Sequence, residues 1–177
     1  RLVTQAEIIR EKGTDRSRFF RGAVDKYTWQ SIGSSFLPGE LIAAFLWAQF
    51  EEATAITQRR LAIWNEYHRL LAPLEEKGVL RRPIIPAECQ QNGHMYYVLL
   101  NPQIERQKAL SDFKNAQIMA PFHYIPLHSS PAGLKLGRAH GSLEVTNAVS
   151  EQILRLPLWH SITQEEIESV VAVLAKL

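Results

Sequence analysis

The chain has 177 residues, 46% of them hydrophobic, and its 20 basic against 18 acidic side chains leave a net charge of +2. No global field points to nucleic acid or to an anionic membrane surface, and the longest apolar run, Leu41 to Ala48, falls well short of the roughly 20 residues that span a bilayer. The single cysteine, Cys89, excludes an internal disulfide and fits a reducing, cytoplasmic setting.

The first element is a helix from Leu2 to Lys12, with a basic last turn and Gly13 as its stop. Because the chain opens at Arg1 in what reads as mid-protein helix, a truncated N-terminus is expected. A long connection, Thr14 to Leu37, follows, and loops of that length in compact domains usually carry function. It gathers Arg16, Arg18, Arg21, Lys26, Tyr27 and Trp29, the mixture of cations and aromatic rings that a phosphate-bearing ligand with flat rings requires. A solvated charged face gives the same composition. Ser34, Ser35, Pro38 and Glu40 read as helix-start signals, with Pro38 in the first turn. A helical pattern then runs to about Leu71, with a bend expected near Thr54 and Thr57. Leu41, Phe45 and Ala48 form the apolar face of its first half, and Leu61, Trp64, His68 and Leu71 that of its second.

Pro73 and Gly78 break the pattern, and Arg81 to Cys89 is too rich in proline for a central strand. His94 to Leu100 is a continuous apolar run of strand length, expected to be covered on both faces. A helix over Gln103 to Gln117 and a second strand over Ile118 to Tyr124 complete a strand-helix-strand unit, with a right-handed crossover if the strands are parallel. Ile125 to Gly141 reads as irregular and exposed. A short helix over Thr146 to Leu154 and an edge strand at Leu156 to Leu158 follow. Thr163 and Glu166 form a capping box for a last helix with the stripe Ile167, Val170, Val171, Leu174 and Leu177. The outline is two unequal parts: residues 1–50 without strands, and residues 51–177 as a small α/β domain.

Two segments are candidates for chemistry. Gly33-Ser34-Ser35-Phe36-Leu37 closes the loop, and Ser35 suits either a phosphate contact or a helix cap. Phe122-His123-Tyr124-Ile125-Pro126-Leu127-His128 places two imidazoles and a phenol around a proline turn. As metal ligands these histidines, with His94, His140 and His160, match no common zinc spacing. His68 and His94 read as core histidines and His160 as a surface one.

These segments, together with the closing Leu154 to Ile167, resemble the C-terminal half of the nucleotide-sugar aminotransferases of the DegT/DnrJ type, pyridoxal-phosphate enzymes of fold type I. The GSS-aromatic-LP run is similar to the subgroup of dTDP-4-amino-4,6-dideoxygalactose transaminases. The resemblance implies an α/β fold comprising the end of a large cofactor domain, residues 1–50, and a small C-terminal domain, residues 51–177. It implies a homodimer with shared active sites, in which the loop reaches into the neighbouring subunit. Ser35 stands where the family has a phosphate-touching asparagine, and Leu37 replaces the family's arginine. By that resemblance Ser35, Lys26 and Trp29 are cofactor-binding, and Arg21, Tyr27, Tyr124 and His128 bind the nucleotide sugar. The lysine that carries pyridoxal phosphate and the carboxylate at its ring nitrogen lie outside this segment, so no catalytic residue is assigned and the chain alone is expected to be inactive. A non-catalytic nucleotide-sugar-binding or assembly module and a histidine metal protein are the rivals from other classes.

Overall fold

A computed structural model describes residues 2–177, and the chain divides into two compact units, Arg1–Glu52 and Ala53–Leu177. The first unit holds α1 (Leu2–Arg10), the five-residue α2 (Arg16–Phe20) and α3 (Glu40–Glu51). The expected helix start is displaced. Gly39, in extended conformation, is the N-cap of α3, and Pro38 precedes the helix instead of opening it. Ser35 does not cap the helix, because it is held in an antiparallel bridge with Glu11. The anticipated long helix ends at Glu51 and a separate one, α4 (Ala53–Leu70), follows. The expected inward face of α3 is open: Leu41, Ile42, Phe45, Leu46, Trp47 and Phe50 are all exposed. A helix apolar around its whole circumference is characteristic of the interior of a larger body.

The second unit is built on a three-stranded antiparallel sheet in the order β1 (Leu80–Arg81), β2 (Tyr96–Leu100), β3 (Ile153–Leu156). Leu80 faces Leu100, and Val98 faces Leu154. Alternation along β2 sends Tyr96, Val98 and Leu100 into one core with Ile63, Trp64 and Tyr67 of α4. That core also takes Ala109 and Phe113 of α6 (Arg106–Asn115) and Ile167, Val170, Val173 and Leu174 of α9 (Gln164–Leu174). Leu99, of opposite parity, is buried as well, and α8 (Glu144–Gln152), which follows the short α7 (Pro131–Leu136), neighbours β2, so the strand is covered on both faces. The capping box forms as expected. Glu166 N–H donates to Thr163 Oγ1 at 3.2 Å and Thr163 N–H to Glu166 Oε2 at 2.8 Å.

The expected second strand after α6 is absent. Gln117 turns left-handed at φ 58° and ends the helix, and only an isolated antiparallel bridge, Phe122 to Leu154, reaches β3. Pro121 in mid-segment has no N–H to donate, which limits the pairing to its carbonyl, bonded by Arg155 N–H at 2.9 Å. The sheet is therefore antiparallel, without a parallel crossover. The edge strand begins three residues and ends two residues earlier than anticipated and stops before Pro157, whose carbonyl accepts from Tyr67 Oη at 2.9 Å. The two-residue β1 has no sequence signal. Its Leu80 reaches the sheet because Gly78, left-handed at φ 73°, turns the chain back after α5 (Ala72–Glu76). Among the described residues no helix is long and apolar enough to cross a membrane.

His68, near the end of α4, joins several elements. Its ring stacks on Trp64 with centroids 4.7 Å apart, and Nδ1 lies 3.2 Å from Tyr96 Oη. Its carbonyl accepts from Arg82 Nη1 at 2.6 Å, and Arg82 pairs with Glu75 at 2.6 Å. Burial, then the Arg82 guanidinium, hold the imidazole below its ordinary range, while Glu75 pulls the other way. The fold thus favours neutral His68. The associated stability is fully present above the unfolded value of about 6.5 and declines as pH falls from there through the lower folded value. His68→Asn is expected to flatten that part of the stability-against-pH curve, measured by urea denaturation at a series of pH values. An unchanged slope would show that other groups set it. His94, expected in the core, is exposed, and Arg60 Nη2 holds its carbonyl.

Candidate functional site

In the first unit the chain folds back on itself. After α1, Lys12 and Gly13 both adopt left-handed backbone, at φ 63° and 77°. The returning segment then lies against the end of the helix, with Ser34 N–H bonded to Ile9 O at 2.9 Å and Phe36 N–H to Arg10 O at 3.0 Å. A side chain at Gly33 would stand 2.1 Å from Gly13 N, so the approach exists only because both positions are glycine. The buried Asp15 fixes the rest of the arm. Its Oδ1 accepts from Thr28 N–H at 2.6 Å and Oδ2 from Gln30 Nε2 at 3.0 Å.

This arrangement opens a cleft of about 340 Å³, whose walls include Arg10, Glu11, Lys12, Arg16, Tyr27 and Ser35. The Arg16 guanidinium is suspended over rings, 5.1 Å from the Phe20 centroid and 5.9 Å from that of Tyr27, a placement that orients a cation without neutralising it. Among the described residues none of the cleft's three cations forms an ion pair, and Glu11 accepts from Ser17 Oγ at 2.6 Å. Arg21 is differently placed. It forms a two-point ion pair with Glu7 at 2.9 and 2.8 Å, and that bond holds the Glu7 carboxyl below the usual carboxylate range. Lys26 and Trp29 are exposed and lie off the walls of this cleft.

Of the residues expected in the loop, Ser35 and Tyr27 are therefore brought together, and Arg21, Lys26 and Trp29 are not. Arg10 and Lys12 carried no sequence signal beyond the basic last turn of a helix. The set is suited to an oxyanion such as a phosphate: guanidinium and ammonium donors beside a hydroxyl.

The second unit has a larger cleft of about 610 Å³, lined by residues that include Arg106, Phe122, His123, Tyr124, Asn147 and Ser150. Tyr124 stands edge-on to His123 with ring centroids 5.4 Å apart. The Arg106 guanidinium lies 5.6 Å from the Phe122 centroid, and Nη1 donates to the Ser150 carbonyl. His128 sits beside this cleft in a 3-10 turn, Leu127–Ser129, with Nε2 2.9 Å from Asn147 Oδ1. The family resemblance selects Tyr124 and His128; His123, in the same motif, is a candidate there only as a metal ligand, and Arg106 and Asn147 are passed over. Among the described residues no group of three or more His, Cys, Asp or Glu is gathered as metal ligands would be.

The model of the DegT/DnrJ/EryC1/StrS aminotransferase family matches residues 1–175. A dTDP-4-dehydro-2,3,6-trideoxy-D-glucose 4-aminotransferase of Saccharopolyspora spinosa is 26% identical over 96% of this chain and 43% of its own length. A dTDP-3-amino-3,4,6-trideoxy-alpha-D-glucose transaminase of Micromonospora megalomicea is 25% identical over 92% of this chain and 44% of its own. The chain thus spans less than half the length of these relatives. Among solved structures, the aminotransferase TlmJ of Streptoalloteichus hindustanus superposes with a TM-score of 0.81 at 20% identity, covering 99% of this chain and 44% of that one. DesV of S. venezuelae gives 0.81 at 22%, covering 99% and 43%. At these identities the structural matches establish the fold, that of a portion of a pyridoxal-phosphate aminotransferase of fold type I.

Proposed function

Because the chain belongs to the DegT/DnrJ/EryC1/StrS aminotransferase family, we propose that it is the C-terminal part of a nucleotide-sugar aminotransferase. The full-length enzyme moves an amino group from glutamate to C4 of dTDP-4-keto-6-deoxyglucose, giving dTDP-4-amino-4,6-dideoxygalactose for cell-surface polysaccharide such as enterobacterial common antigen. It works in the cytoplasm as a homodimer with shared active sites. Residues 1–50 end the large cofactor domain, and residues 51–177 form the small one. The observation that carries this reading is the family match along nearly the whole chain, and relatives named for dTDP-sugar amination support the substrate class.

Pyridoxal phosphate supplies the electron sink for moving an amino group between carbon atoms. The first cleft fits its phosphate end, with Ser35 Oγ and three cations as donors. The one carboxylate on its walls, Glu11, accepts from Ser17 through Oε2. In this reading Ser35 and Arg16 hold the phosphate and Tyr27 contacts the nucleotide, while Lys26 and Trp29 engage the cofactor side from the exposed surface of the arm. Arg21 enters substrate contacts only if Glu7 releases it. Tyr124 and His128 face the sugar from the second unit. The exposed apolar circumference of α3 is covered by the remainder of the full-length protein.

The test is direct. Full-length protein given pyridoxal phosphate, glutamate and dTDP-4-keto-6-deoxyglucose is expected to yield 2-oxoglutarate and a dTDP-4-amino sugar by mass spectrometry, and the 177-residue chain alone to yield neither. Turnover by the chain alone would overturn the assignment of the catalytic groups to the other part. Amination at a different carbon, or of a UDP-sugar in preference, would overturn the substrate.

A further inference from the structure

His128 and Asn147 are far apart in sequence and joined at one atom pair, Nε2 to Oδ1, 2.9 Å apart. The direction of this bond follows from the other end of the amide. Asn147 Nδ2 faces the Ser142 carbonyl at 3.5 Å, and a carbonyl only accepts, so the amide nitrogen belongs on that side. Oδ1 is thereby turned to His128, and an oxygen acceptor requires the imidazole to carry its proton on Nε2. The backbone that carries this side chain is held in place: Asn147 N–H donates to Leu143 O at 3.0 Å, and the Asn147 main-chain carbonyl accepts from Ser150 Oγ at 2.8 Å. In the neutral ring the lone pair then resides on Nδ1. That atom has no hydrogen-bond partner among the described residues. It is also not one of the buried unpartnered atoms, which are Arg106 Nε, His123 Nδ1 and Arg155 Nε. His128 is half-buried, so Nδ1 keeps some access to solvent.

We infer that Asn147 is a positioning residue that sets His128 as the Nε2–H tautomer, so that the ring offers an acceptor, Nδ1, to a ligand hydroxyl or amino hydrogen. The ligand side of this inference rests on the reading of His128 as a nucleotide-sugar contact, and it narrows that reading. A neutral acceptor repels the oxygens of a diphosphate and accepts from a sugar, so His128 belongs to the sugar end of the ligand. Asn147 also lines the neighbouring cleft with Tyr124 and His123, which places the bonded ring at its margin.

The experiment has two arms, both at pH 8. In the first, long-range nitrogen-proton correlation spectra of the nitrogen-15-labelled chain report the tautomer of His128. The Nε2–H form is expected in the parent chain, a mixture of tautomers in Asn147→Leu, and retention of the Nε2 proton in Asn147→Asp, which keeps an oxygen at that position. In the second, the affinities of the full-length protein for dTDP-glucose and for dTDP are compared. Asn147→Leu is expected to weaken dTDP-glucose about tenfold, the scale of one neutral hydrogen bond, and to leave dTDP unchanged. An Nδ1–H ring in the parent chain, or spectra insensitive to Asn147→Leu, would overturn the positioning role. Equal weakening of both probes, or of neither, would overturn the assignment to the sugar. If the parent protein binds neither probe, the nucleotide-sugar reading fails by itself, and the spectra still decide whether Asn147 sets the ring.

Discussion

Replacing Gly33 by alanine is expected to dismantle the arm of the first unit while leaving the second unit folded. The added carbon would stand 2.1 Å from Gly13 N, 2.7 Å from Gly13 Cα and 2.7 Å from Ile9 O, all backbone atoms. No rotamer change relieves such contacts, so the segment around Gly33 must separate from the end of α1. Separation breaks the Ser34 to Ile9 and Phe36 to Arg10 bonds and removes Ser35 from the cations it faces across the cleft. The cost belongs at the upper end of the ~1–3 kcal/mol typical of overpacking, because backbone yields less readily than side chains. In the full-length protein the expected result is at least about a tenfold loss of transaminase activity together with weaker retention of pyridoxal phosphate. In the 177-residue chain it is faster proteolytic cleavage within residues 14–37. Gly39→Ala is the control, since a carbon there meets nothing within 4 Å. Equal proteolysis of the two variants would mean that the close approach of Gly13 and Gly33 does not hold the arm.

The same arm shows which features sequence reveals. Signals completed within a few residues were the more readable: the Thr163 to Glu166 box forms and the apolar run at His94 to Leu100 yields a strand over Tyr96–Leu100, whereas the first helix ends at Arg10, short of the expected Lys12, because the chain already turns left-handed at Lys12. Features decided by a distant partner were not. Ser35 carries the chemistry of a helix cap, but Glu11 takes its backbone into a bridge, and the helix begins after Gly39 instead. Arg16 and Arg21 are equivalent as composition. Glu7, fourteen residues before Arg21, neutralises one, and the rings of Phe20 and Tyr27 hold the other unpaired. His123 and His128 look alike within one short motif. Asn147 binds the second, and the first lines the cleft. The missing strand after α6 has a local cause that apolar content concealed, the absent N–H of Pro121. The family resemblance pointed to two segments that line clefts in the fold, and it left to the fold which cations and imidazoles within them meet.

Phe113→Ala is expected to be the most destabilising single change in the second unit, by about 3–5 kcal/mol. The side chain is 1% exposed and joins α6 to the core shared by α4, β2 and α9. Truncation removes a whole ring from a site walled by regular elements on several sides, so the surroundings have little room to close the cavity. Set against the roughly 5–15 kcal/mol that a domain of this kind possesses, the loss brings the unit near its folding threshold. In urea the midpoint should fall sharply with the slope unchanged, because the surface exposed on unfolding is nearly the same. Phe113→Leu, which keeps most of the volume, should cost under about 1.5 kcal/mol, and Lys108→Ala on the exposed side of the same helix within about 0.5 kcal/mol. A functional consequence follows from the position of α6. Arg106, its first residue, lines the second cleft, stacks over Phe122 and donates to Ser150. A helix loosened at Phe113 loses its hold on that guanidinium, so sugar-nucleotide affinity should fall in Phe113→Ala even at temperatures where the protein remains folded. Unchanged affinity alongside the lowered midpoint would show that Arg106 is held by its own contacts, independently of the core beneath it.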